Sequence, residues 1–107
     1  MNDTTSPGGH ALVVHFHLRP GAAAGFDELV ARTLPLIRAA EPGTLVYAVH
    51  TDAADPSVRV FYELYRDLDA FEAHEAQPHV REFLAARAQY LERVDVQVLD
   101  LVAAAGA

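Results

Sequence analysis

The sequence has no lysine, no cysteine and no tryptophan, and each absence closes a class of chemistry. Without lysine there is no internal Schiff base, no pyridoxal phosphate anchor and no P-loop lysine. Without cysteine there is no thiolate nucleophile, no thiolate-bound zinc and no cysteine-held iron–sulfur cluster. Serine is nearly absent too. Ser6 falls in an N-terminal stretch and Ser57 in a turn, and neither sits in G-x-S-x-G, which excludes a serine hydrolase of that kind. Gly8-Gly9 and Gly43 fit no G-x-G-x-x-G frame, so no nucleotide cradle is predicted. Histidine, tyrosine, carboxylates and arginine remain for catalysis.

Positive charge is also scarce. Eight arginines face fifteen acidic residues, and the formal charge of -7 repels phosphate backbones and anionic lipid. Neither a nucleic acid nor a membrane partner is expected. No run approaches the roughly 18 apolar residues of a membrane span, and the N-terminal ten residues carry no basic or apolar start, so a cytoplasmic location is expected. At 107 residues the chain is one domain. Residues 1–10 read as a flexible N-terminal tail, 11–102 as the folded domain and 103–107 as a C-terminal tail.

Within 11–102 the hydrophobic pattern changes period repeatedly. Leu12, Val14, Phe16 and Leu18 alternate with Val13, His15, His17 and Arg19, a strand ended by Pro20-Gly21. Phe26, Leu29, Val30, Thr33 and Ile37 then recur at helical spacing over 25–40, with Pro35 expected to kink or shorten the helix. Residues 44–51 read as a second strand, 52–57 as a loop and 58–66 as a third strand. A short helix capped by Asp67 or Asp69 is broken at Gln77-Pro78 and resumes to about Leu91. Residues 94–102 close the domain as a fourth strand. The order β-α-β-β-α-β predicts an α+β fold, the ferredoxin-like split βαβ sandwich: a four-stranded antiparallel sheet with helices on one face. The third strand is apolar on both faces, so Val60, Tyr62 and Leu64 predict a second sheet, and hence a second copy, against the other face.

The histidines are the first candidates for chemistry. His74 and His79 lie five apart, about 140° from one another on an unbroken helix, unlike the i,i+4 pair of a zinc helix. His15 and His17 share a strand face, but a third ligand would require His50 to converge from another strand. No metal is predicted. On the third strand Phe61, Glu63 and Tyr65 share one face, so a carboxylate stands between two aromatics. Such a glutamate is either part of a pocket wall or paired with an arginine at the sheet margin.

Residues 41–87 carry a set of pieces, Glu41-Pro42-Gly43 with Tyr47 and His50, Tyr62-Glu63 with Tyr65, and His74 with Pro78-His79 and Phe83, that resembles the antibiotic biosynthesis monooxygenase family. The resemblance implies a dimeric α+β barrel, two sheets packed face to face as a homodimer, with a pocket in each subunit between sheet and helices. Some members oxidise anthrones, quinols or related phenols with O₂ and no bound cofactor; others degrade heme or isomerise small ligands. The positions that bind heme in such members hold Val14, His74 and Leu84 here, and those that line the anthrone pocket hold Phe61, Tyr65 and Phe71, so neither substrate is expected.

The expectation is a cofactor-independent monooxygenase acting on a small phenol or quinol and O₂. His74 would be the base or proton relay, its ordinary pKa lying near neutrality. Tyr65 and Glu63 would hydrogen-bond the substrate oxygen, and His79 would orient that network. Phe61, Phe71 and Phe83, with Val14 and Phe16 of the first strand, would hold the ring. The alternatives are a non-catalytic dimeric module that binds a small ligand or serves as a stress-associated accessory protein, and a cofactor-free isomerase or cyclase using the same groups.

Overall fold

The structure, a computed structural model, describes residues 9–106. Its elements are β1 (His10–Leu18), α1 (Ala23–Ala40), β2 (Thr44–Asp52), β3 (Asp55–Tyr65), α2 (Leu68–Glu75), α3 (Pro78–Ala86), a 3₁₀ turn (Arg87–Tyr90) and β4 (Leu91–Asp100). The sheet is antiparallel throughout, in the order β2-β3-β1-β4. This is the expected ferredoxin-like α+β architecture.

Alternation decides the two faces. Leu12, Val14, Phe16 and Leu18 of β1 are buried against the helices, together with Phe61 and Tyr65 of β3 and Phe26, Leu29 and Val30 of α1. Phe16, Phe26, Phe61 and Tyr65 are the largest fully buried side chains, so the core sits over the middle strands. Arg59 ties β3 to α1 through two bonds to the Asp27 carboxylate, at 2.8 and 3.0 Å.

Several boundaries differ from the pattern-based reading. Residues 1–8 of the expected tail lie outside the described residues, but Gly9 and His10 belong to the folded domain: the Gly9 carbonyl accepts from Leu101 N–H, and His10 pairs with Tyr65 and Asp100. Residues 102–106 are exposed and carry no regular structure. The α1 helix runs to Ala40 without ending at Pro35, because the Ala31 carbonyl deprived of its partner is exposed and water can satisfy it. The loop at 52–57 shrinks to a tight hairpin. Asp52 accepts from Ala54 N–H, Asp55 accepts from Ser57, and Pro56 precedes the first β1 pairing at Val58, so it costs no bond there. The β4 strand starts at Leu91, three residues early, since pairing with β1 extends to Leu18.

The far face of β3 is less bare than expected: Val58 and Leu64 are buried, and Val60 and Tyr62 half-buried. Among the described residues no helix is long and apolar enough to cross a membrane.

Candidate active site

A cavity of about 340 Å³ lies between the sheet and α2–α3. The sheet registers set its polarity. One row of side chains across the helix-facing side reads Tyr47, Glu63, Leu12, Val98, and the next reads Val49, Phe61, Val14, Val96. In these two rows the polar side chains sit on β2 and β3, where His74 comes down from α2, and apolar ones run over β1 to the β4 edge; His10, one row beyond on β1, also lines the cavity.

Local sequence explains how His74 arrives. Asp67 caps α2, its carboxylate accepting from Ala70 N–H at 2.8 Å. The helix buries Ala70 and His74 one turn apart. Gln77 is extended, as a residue before proline prefers, and Pro78 opens α3 in a new direction. The 140° separation of an unbroken helix thus does not apply, and His74 and His79 converge on one carboxylate.

That carboxylate is Glu41, which ends α1 and is buried. Its Oε1 accepts from His74 Nδ1 at 2.5 Å and from Thr44 Oγ1 at 2.8 Å; its Oε2 accepts from His79 Nε2 at 2.5 Å. An ionised carboxylate only accepts, so both imidazoles present N–H to it. His74 is thereby held in the Nδ1–H tautomer, with its Nε2 lone pair free; among the described residues Nε2 has no partner. The ring packs against both Tyr65 and Tyr47, centroids 5.1 and 5.5 Å away. Gly43 permits this approach, because a Cβ there would stand 2.6 Å from Ala70 Cβ on α2.

Glu63 is the second buried acid. Tyr65 Oη donates to its Oε1 at 2.6 Å, and its Oε2 has no partner among the described residues. Burial pushes its pKa up from the ordinary 4.5 to about 7, against the opposing effect of the tyrosine hydrogen bond. Burial and the neighbouring Glu63 charge hold Tyr65 protonated, and burial does the same for Tyr47. Arg87, half-buried, lines the same cavity and its cation lies 5.5 Å from the Phe16 ring centroid; burial lowers its pKa.

Of the residues singled out from sequence, Glu63, Phe71, His74, Phe83, Val14 and Phe16 line the cavity. Tyr65, Phe61 and His79 do not. Tyr65 is fully buried with its hydroxyl committed to Glu63, so its action on a ligand would pass through that acid. Phe61 lies beneath, packed edge-on against Phe16 with centroids 4.4 Å apart. His79 meets only the back of the His74 network, through Glu41.

Sequence reasoning missed Glu41, Tyr47 and Arg87 as members of the site. Arg87 had a signal, the helical spacing it shares with Val80, Phe83 and Leu84. Tyr47 had a weaker one, as an aromatic on a strand beside Glu63. Glu41 had only its place in the Glu-Pro-Gly turn.

Apart from His10, which lines the cavity beside Phe71 with ring centroids 4.9 Å apart, the remaining histidines lie elsewhere. His15 and His50 are on the opposite side of the sheet, both aligned with Val60 and so two strands, about 10 Å, apart. His17 Nε2 bonds Asp95 at 2.9 Å, and His50 Nδ1 donates to the Val60 carbonyl at 3.1 Å. Among the described residues no group of three or more potential ligands could hold a metal ion.

A family model described as antibiotic biosynthesis monooxygenase matches residues 10–86. The fold is similar to that of a candidate antibiotic biosynthesis monooxygenase from Caulobacter crescentus, at 26% identity over 90% of this chain and 92% of that one, with a TM-score of 0.85. It is also similar to Rv0793 from Mycobacterium tuberculosis, at 28% identity over 92% and 99% with a TM-score of 0.83. PA3566 from Pseudomonas aeruginosa gives 26% identity over 90% and 96%, with a TM-score of 0.80. No curated protein matches the chain.

Proposed function

The chain belongs to the antibiotic biosynthesis monooxygenase family, and on that premise we propose that it oxidises a small phenol or quinol with O₂ and no bound cofactor. The observation that carries this reading is the His74 imidazole at the cavity, its Nδ1 held by buried Glu41 and its Nε2 free to take a proton.

The chemistry asked of the protein is modest. His74 Nε2 takes the substrate hydroxyl proton, and the imidazolium is stabilised by the Glu41 carboxylate. The electron-rich anion passes one electron to O₂, and the radical pair joins at a ring carbon as a peroxide. The hydrogen on that carbon and the proton stored on His74 leave with the outer oxygen as water, so one oxygen atom remains as a carbonyl. Glu63 Oε2 meets a second polar group of the substrate, with Tyr65 fixing the orientation of that acid. Phe71 and Phe83 flank the ring, Val14 and Phe16 support it from below, and the apolar wall excludes water.

An oxygen electrode with a panel of hydroquinones and naphthols tests this. Wild type is expected to consume O₂, with His74→Gln slowed about 10²- to 10⁴-fold, the span of a lost general base. No uptake with any of the panel overturns the oxidation reading. Thermal stabilisation by the same compounds without uptake would then assign the cavity to ligand binding alone.

A further inference from the structure

The cavity is two-ended, and this bears on what fills it. Tyr47, Glu63 and His74 cluster at one end, with His10 beside Phe71 and Arg87 over Phe16 as further polar side chains along β1. Across the sheet the same rows continue through Leu12 and Val14 to Val98 and Val96, the outermost strand, where both valines line the cavity yet are 59% exposed. Leu68, at the start of α2, also lines the cavity and is largely exposed. A wall that is apolar, continuous with the cavity and open to water at its far end suits an extension of the ligand better than a second polar group.

We propose that the substrate is an amphiphilic hydroxyarene, with its hydroxyl end at His74 and Glu63 and an apolar alkyl substituent lying over Leu12 and Val14 toward Val96 and Val98. This rests on reading the cavity as a phenol site. A volume of about 340 Å³ is small for a ligand pocket, so a single ring with a short chain fills it.

The test is the binding of 2-alkylhydroquinones from methyl to hexyl, measured by calorimetry without oxygen so that turnover does not intrude. Affinity is expected to rise two- to fourfold per added methylene over the first few carbons, up to the roughly 0.8 kcal/mol of a fully buried CH₂, and then level off. Val98→Asp should collapse that slope, with Val96→Asp as an independent check; both positions are exposed enough to accept the charge without loss of the core. A series with no chain-length dependence in wild type overturns the inference. So does an unchanged slope in both variants, or a slope lost only because the variants dissociate into monomers. A steep series in a protein that consumes no O₂ upholds the inference and removes the oxidation reading alone.

Discussion

Replacing Glu41 by glutamine preserves the shape of the side chain and removes its charge, which isolates what the carboxylate does for two histidines. In the wild type its two oxygens accept from His74, His79 and Thr44. An amide offers one oxygen, so one imidazole N–H must face an NH₂ group, or its ring must switch tautomer. A buried unsatisfied donor costs about 1–3 kcal/mol. In a domain of this size that lowers Tm by roughly 5–20 °C. The kinetic loss should be larger, because both outcomes weaken His74 as a base. If the amide nitrogen faces His74, the ring satisfies it as the Nε2–H tautomer and no lone pair reaches the cavity. If it faces His79, the His74 imidazolium still lacks its counter-charge. The expected fall in kcat is about 10²- to 10⁴-fold, read by O₂ uptake at saturating quinol beside a thermal melt. His79→Asn removes the other imidazole while leaving Glu41 on His74, and should cost about 1 kcal/mol with kcat within tenfold of wild type. Wild-type turnover in Glu41→Gln, or an equal loss of turnover in His79→Asn, would refute the reasoning.

Glu63 makes stability fall with rising pH. Its pKa is raised in the folded state, so between 4.5 and about 7 the folded protein binds the extra proton. The penalty is absent below 4.5, grows across that window and is complete above it, about 3 kcal/mol in all. Glu63→Gln should flatten denaturant midpoints from pH 5 to 7, and Tyr65→Phe, by removing a donor to the carboxylate, should move the transition upward; a flat wild-type profile sinks this. Gly43→Ala should destabilise by about 1–3 kcal/mol through overpacking and loosen the contact of α2 with Glu41, seen as a lower Tm together with weaker O₂ uptake; an unchanged Tm contradicts it. Sedimentation at micromolar concentration should give a dimer, since the half-buried Val60 and Tyr62 on the far face lack helical cover; a monomer overturns that expectation.

Much of the fold was legible because it depends on periodicity. Leu12, Val14, Phe16 and Leu18 announce a strand with one buried face, and Phe26, Leu29, Val30, Thr33 and Ile37 announce a helix, whatever surrounds them. Ends were less legible. Pro35 predicts a break only if the carbonyl it deprives is buried, and Ala31 is exposed. Leu91 reads as the end of a helix until its pairing with Leu18 is known. Part of the site followed from the same periodicity: Glu63 between Phe61 and Tyr65 on one strand face, and His74 on a helix whose cap and break are written in Asp67 and Pro78.

The amino-acid sequence alone determined the element order, the inward face of each strand, the chemistries ruled out by missing lysine and cysteine, and the presence of a histidine and an acid near the helix-covered face. These depend on residue type and short spacing. Only the tertiary structure decided that Glu41 sits between His74 and His79, residues 33 and 38 positions away, that Tyr65 spends its hydroxyl on Glu63, and that polarity runs across the strands from Tyr47 to Val98. Those facts depend on sheet register and on the direction of α3 after Pro78, and neither is encoded within a local window of sequence.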